Sequence, residues 1–119
     1  MTKRDVSFHA DALLSIQGAM LDLVLPTLRG VAVEVSYPNI RARFVYESIG
    51  WEEKTATDDA EAFASADFNP PVEVVCTPVE VLTGLARTAQ PGEVWIFRRY
   101  EEATNGPLYA PMEERDNPG

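Results

Sequence analysis

One cysteine in 119 residues, Cys76, leaves nothing with which to form an internal disulfide, so the fold must close on packing alone, and a reducing compartment suits it. The one histidine, His9, has no second histidine or cysteine ligand beside it, and near a helix start it reads as a surface or cap residue. HExxH, paired CxxC, GxSxG, the phosphate-binding loop and the dinucleotide glycine fingerprint are all missing, so the sequence offers no catalytic constellation. No apolar run approaches the length needed to cross a bilayer. Lys3 and Arg4 are followed by Asp5, His9 and Asp11 in place of an uninterrupted apolar signal core. These absences lead to an expectation of a cytoplasmic, non-catalytic protein with no cofactor and no metal.

Positive charge is also scarce. Ten Lys and Arg face nineteen Asp and Glu, for a net charge of −9. The excess concentrates in residues 47–82, which hold nine acidic side chains and one basic. Such a field repels nucleic acid and membrane surfaces and speeds the approach of basic proteins, while its ordinary use is to keep a small domain in solution.

What is present is a clear hairpin. Val31, Val33 and Val35 alternate with Ala32, Glu34 and Ser36, the period of a strand with one buried face. Tyr37-Pro38-Asn39 reads as the turn. Ile40, Ala42, Phe44 and Tyr46 then share a core-facing side, with Arg41 and Arg43 opposite, near Glu34. Before the hairpin, residues 5–25 have the spacing of an amphipathic helix through Leu13, Ile16, Met20 and Val24, widened by Leu21 and Leu23 and ended by Pro26. After it, residues 51–66 repeat Ala56, Ala60, Phe63 and Ala64 at helical spacing among carboxylates, until Asn69-Pro70-Pro71 stops the helix.

Val72 to Thr77 alternates as a third strand in which Cys76 packs as a small hydrophobe. Pro78 to Gly92 is an irregular or partly helical connection. Glu93 to Tyr100 forms the last strand, apolar on both faces in its first half, which suggests a central position. The expected fold class is α+β, order α-β-β-α-β-β: a four-stranded, mostly antiparallel sheet with two helices largely on one face. The single domain is expected over 1–102, with a flexible polar Pro/Gly-rich tail over 103–119.

Adjacent carboxylates such as Glu52-Glu53 and Asp58-Asp59 diverge by about 100° on a helix, so they do not converge on one substrate atom. Arg41, Arg43, Arg98 and Arg99 allow an anion site, but cross-strand pairing with Glu34, Glu73 or Glu101 is the commoner use.

The stretch Leu25-Pro26-Thr27-Leu28-Arg29-Gly30-Val31, the alternating hairpin, an acidic helix closing on Ala66-Asp67-Phe68, and the strand Val94-Trp95-Ile96-Phe97-Arg98-Arg99 carry a further signal. Across roughly residues 12–101 the chain resembles small bacterial immunity proteins of polymorphic toxin systems, of the contact-dependent growth inhibition and colicin type. It departs from them in its extra N-terminal residues, a longer connection from Pro78 to Gln90, and the tail. The resemblance implies a non-catalytic cytoplasmic protein that binds and neutralises a cognate toxin C-terminal domain.

The acidic middle agrees in sign, because a nuclease-type toxin presents a basic surface to phosphates. The expected partner-binding residues are Trp51, Glu52, Glu53, Asp58, Asp59 and Glu61, with Trp51 as a hot-spot anchor unless it caps the core beneath its helix. Two alternatives stay open. One is a homodimeric regulatory module using an exposed edge or an uncovered sheet face around Val45 and Val75, the chain being a monomer or weak homodimer otherwise. The other is a small enzyme or ligand-binding protein with a pocket beneath the Pro78–Gln90 connection.

Overall fold

The computed structural model describes residues 3–101, so the tail expected over 103–119 lies outside the described residues. The elements run α1 Lys3–Ala19, β1 Leu28–Ser36, β2 Asn39–Tyr46, α2 Trp51–Ser65, β3 Glu73–Glu80 and β4 Glu93–Arg98. They build one four-stranded sheet in the order β3-β2-β1-β4. The β1–β2 and β1–β4 pairs are antiparallel and the β2–β3 pair is parallel, so the sheet is mixed with the expected element order.

The hairpin forms as its alternation dictates. Ser36 pairs with Asn39 around Tyr37-Pro38, whose peptide bond is cis, and Glu34 lies opposite Arg41. Ile40, Ala42, Phe44 and Tyr46 are all buried and meet Val31, Val33, Val74 and Cys76 beneath the helices. The β-branched and aromatic side chains of this face pack well against the pleated surface, and their burial is the main force closing the helical side of the sheet.

α1 is shorter than the spacing of its apolar residues suggests. Its buried stripe is Ala12, Ser15, Ile16 and Ala19, at i, i+3, i+4 and i+7. The chain then turns through Met20–Asp22, with Asp22 in the left-handed region at φ 68°, and Leu23 N–H donates to the Met20 carbonyl. Aspartate tolerates that conformation better than most residues, so the helix ends there and not at Pro26. Leu21 and Val24 consequently lie exposed beyond the helix, outside the face that the spacing assigned them.

α2 begins at Gly50, whose extended backbone serves as the N-cap. Glu53, at the third helical position, reaches back to accept the Gly50 N–H at 2.8 Å. Glycine has no side chain to complete a reciprocal capping box, and the other Glu53 oxygen accepts instead from the Thr27 hydroxyl at 2.7 Å. Ala56, Thr57, Ala60 and Ala64 form the buried side, while Phe63, expected among them, is 58% exposed. The small alanines let α2 sit close to β3 and α1. The Thr57 hydroxyl donates to the Glu53 carbonyl at 2.8 Å and lies 2.9 Å from the Tyr46 hydroxyl, which satisfies a buried phenol.

β3 runs three residues past its expected end, through Pro78, which an edge strand tolerates because its outer side needs no ladder donor. β4 is also an edge strand and not central. Its two apolar faces have different explanations. Phe97 and Ile96 pack toward the core, whereas Trp95 lies over Gly30 on the opposite face. A Cβ at Gly30 would sit 2.7 Å from the Trp95 ring, so glycine is what allows the indole to settle there. Arg98 lies 5.3 Å above the same ring.

The connection between β3 and β4 must cross from one edge of the sheet to the other. It does so on the face away from the helices, where Arg43 donates to the Thr88 carbonyl at 3.0 Å. Val45, one of the two residues weighed for an uncovered sheet face, is buried on this side, while Val75 is 39% exposed and β3 and β4 remain the sheet edges. The space under the connection is filled by Arg29, fully buried, whose guanidinium donates to the carbonyls of Val81, Leu82 and Leu85 at 2.8–3.0 Å.

Candidate functional site

The six residues expected to meet a partner all lie on α2, but the fold divides them. Trp51 is 75% exposed at the first turn, so it does not cap the core. Glu52, Asp58 and Asp59 are exposed. At 100° per residue, Trp51, Thr55, Asp58 and Ala62 line the outward side of the helix, with Glu52 and Asp59 along one flank. Glu53 turns inward, 8% exposed, and its two hydrogen bonds hold its carboxyl below the usual glutamate range, the Thr27 hydroxyl contributing most. Glu61 is half-buried, and its carboxylate accepts the Cys76 N–H at 2.8 Å, tying α2 to an edge strand that would otherwise leave this donor unpaired.

Cys76 itself is buried. Loss of hydration, with Glu61 and Asp58 nearby, pushes its thiol up to about 12, so it stays protonated and unreactive.

Several arginines are used internally. Arg29 makes a bidentate pair with Glu101, Nε to Oε2 at 2.8 Å and Nη2 to Oε1 at 2.7 Å. Arg99 reaches the same carboxylate at 2.9 Å and also pairs with Glu47. Arg87, fully buried, donates to the Arg29 carbonyl at 2.6 Å and the Arg99 carbonyl at 2.8 Å, with its Nε 3.4 Å from Glu101. Arg43 crosses β1 to pair with Glu93 through two bonds of 2.6 and 2.7 Å, passing beside the small Ala32. Burial alone would raise the Glu93 carboxyl, but Arg43 and the Gln90 N–H hold it below the ordinary value. Of the four arginines weighed for an anion site, Arg43 and Arg99 thus pair with carboxylates of the fold, through Glu93, Glu47 and Glu101, while Arg98 lies over Trp95 and Arg41 is exposed.

A second feature was not anticipated. A groove of about 730 Å³ opens between the first half of α1 and the segment joining α2 to β3. Phe8, Leu14, Phe68 and Val72 supply apolar walls, and Asp11 and Asp67 supply carboxylates. Phe8 is held edge-on between Tyr37 of the hairpin turn, with centroids 5.0 Å apart, and Phe68, at 5.9 Å. The Ser15 hydroxyl donates to Asp67 Oδ2 at 2.6 Å. Ser7, Asp11 and Leu14 follow helical spacing along the border of the buried α1 stripe, but only the position of the α2–β3 segment turns that border into a groove.

Among the described residues no group of three or more His, Cys, Asp or Glu is placed to hold a metal ion, and no helix is long and apolar enough to cross a membrane. No curated protein and no solved structure matches the chain. A family model described as MafI2 immunity protein matches residues 9–101, spanning α1 from His9 onward, α2, the whole sheet and the arginine network, and the chain accordingly belongs to the MafI2 immunity protein family.

Proposed function

We propose that this protein binds a cognate toxin domain of basic, nuclease type and neutralises it through the outward side of α2, without chemistry of its own. The observation that carries the reading is the pairing of Trp51, 75% exposed, with Glu52, Asp58 and Asp59 on the solvent side of one helix. Large aromatics are seldom left this open by packing alone, and tryptophan dominates interface hot spots. Of the carboxylates beside it, Glu52 is favoured by the dipole in the first turn of α2, while Asp58 and Asp59 carry no structural duty comparable to that of Glu53 or Glu61, which hold the helix in place beneath them. A nuclease must display cations where it meets phosphates, so an acidic helix docked there excludes the nucleic acid and pairs with the same cations.

Charge steers the encounter and the indole supplies the anchor. The cytoplasm, where such a toxin would act, is the expected compartment. Replacing Glu52, Asp58 and Asp59 by lysine should slow association with the purified cognate toxin domain severalfold at low salt, with the difference shrinking as salt rises. Trp51→Ala should act on the dissociation rate. An on-rate unchanged by the triple reversal removes the proposal.

A further inference from the structure

We infer that the groove between α1 and the α2–β3 segment receives an arginine side chain of the partner protein, its guanidinium held by Asp11 and Asp67 and its stem lying against Phe8 and Phe68. The inference deepens the toxin-binding reading and rests on it for the source of the arginine. Three features of the groove lead there.

Its walls are already formed. Phe8 is fixed by edge-on contacts with Tyr37 and Phe68, so the recess does not depend on the partner to open it. Its carboxylates are open to a ligand: Asp11 and Asp67 are both exposed, and among the described residues neither has an ion-pair partner, unlike the buried side chains of Glu93 and Glu101. Asp67 is steadied by the Ser15 hydroxyl on Oδ2 only, which leaves Oδ1 to accept from a ligand.

The combination of carboxylates and aromatic edges also selects among occupants. A purely apolar segment would cover two charges without pairing them, which works against it. A phosphate would be repelled. A lysine would satisfy one carboxylate as a point charge, whereas the planar, weakly hydrated guanidinium carries five donors in a fork and also stacks on aromatic faces. The groove lies at the C-terminal end of α2 and Trp51 at its N-terminal end, about 20 Å away at 1.5 Å per residue. A partner long enough to cover both would meet an anchor at each end of the helix.

The test uses the whole protein and n-butylguanidinium as the probe, followed by amide chemical shifts, with n-butylurea as its uncharged counterpart. Saturable shifts confined to residues 7–15 and 67–72, at least tenfold weaker with the urea and lost in Asp11→Asn/Asp67→Asn, are expected. Asparagine at 67 still accepts the Ser15 hydroxyl, so the melting temperature should hold. As a second variant, Leu14→Arg at a position 65% exposed supplies a guanidinium from within and should also block the probe.

Equal response to the urea, shifts that survive in the double variant, or shifts centred elsewhere overturn the inference. With the purified toxin domain, both groove variants should raise the dissociation rate at least tenfold. Normal toxin binding by those variants removes the groove while leaving the α2 reading intact. A wild-type chain that fails to bind the toxin domain removes that reading, and with it the source of the arginine, even where the guanidinium itself still binds.

Discussion

The two faces of this sheet are covered in opposite ways. Toward the helices, Val31, Val33, Ile40, Phe44 and Tyr46 meet the alanines and isoleucine of α1 and α2, with the Tyr46–Thr57 contact among the few polar pairings. On the other side, a connection without regular structure is held down by Arg29 and Arg43, which donate to its carbonyls and pair with Glu101 and Glu93, and by its own Arg87, which donates to the Arg29 and Arg99 carbonyls. The first face closes by non-directional burial and tolerates changes that keep volume. The second closes through charges with fixed geometry, where one missing partner strands another. A covering loop cannot bring its own ladder of hydrogen bonds, so its carbonyls must be met by side chains, and arginine supplies the most donors per residue.

The strongest way to break this contrast is Arg29→Met. The methionine refills much of the volume but leaves three carbonyls and part of Glu101 unpaired, and a loss of about 3–5 kcal/mol is expected from chemical denaturation. A volume-conserving change on the helical face, Ile40→Leu, should cost under about 1.5 kcal/mol. If the two variants lose similar amounts, the faces do not differ as described. Proteolysis within residues 82–88 should rise for the first variant only.

Gly30→Ala asks how tightly the second face is packed. The new methyl would fall within 2.7 Å of the Trp95 ring, so the indole or β4 must move, with an expected cost of about 1–3 kcal/mol. Performed in a Trp51→Phe background, the shift of Trp95 emission checks that the indole is what moves.

Acid should weaken both faces through one residue each. Glu53 and Glu93 have carboxyls below their ordinary value in the folded state, so the unfolded chain binds more protons as pH falls. Their stabilisation is fully present above the unfolded glutamate range, near pH 4.5, and is lost as pH drops through the folded values. Glu53→Gln and Glu93→Gln should each flatten the acid limb of a stability-versus-pH curve. A limb unchanged in both variants would place the acid sensitivity elsewhere.

The contrast also explains what could be read in advance. Element order, the hairpin and the core side of β2 follow from alternation and turn chemistry, which are local. So does most of the buried side of α2, except that Phe63 at the border turned outward. The helix end at Asp22 was hidden because a left-handed aspartate leaves no mark as plain as the proline four residues later. The edge position of β4 was misread because its apolar faces suggested burial between strands, whereas Gly30 and Arg98 shelter Trp95 at an edge. Arg29 sits in a run that reads as an ordinary strand start, and its partners lie 52 to 72 positions away. Among the six expected contact residues, the acidic character of α2 was legible. That Glu53 would cap the helix against Thr27, and Glu61 reach the third strand, depended on where those strands came to lie.

The smallest expected effect on stability tests the division within α2 itself. Asp58 and Asp59 lie away from caps and pairs, where a changed charge usually shifts stability by no more than about 0.5 kcal/mol, and lysine at 52 in the first turn adds a dipole cost of about 0.3–1 kcal/mol, so the triple lysine variant at 52, 58 and 59 should lose little beyond that. Glu61→Gln should cost more than any of the three singly, because a neutral amide is a weaker acceptor for the Cys76 N–H and β3 is an edge with no other strand beyond it. Slower hydrogen exchange at Cys76 in the triple variant than in Glu61→Gln would locate that difference at the α2–β3 contact. If the triple variant proves the less stable, then Glu52, Asp58 and Asp59 serve the fold as Glu53 and Glu61 do. The outward side of α2 would lose its claim to be held in reserve for a partner.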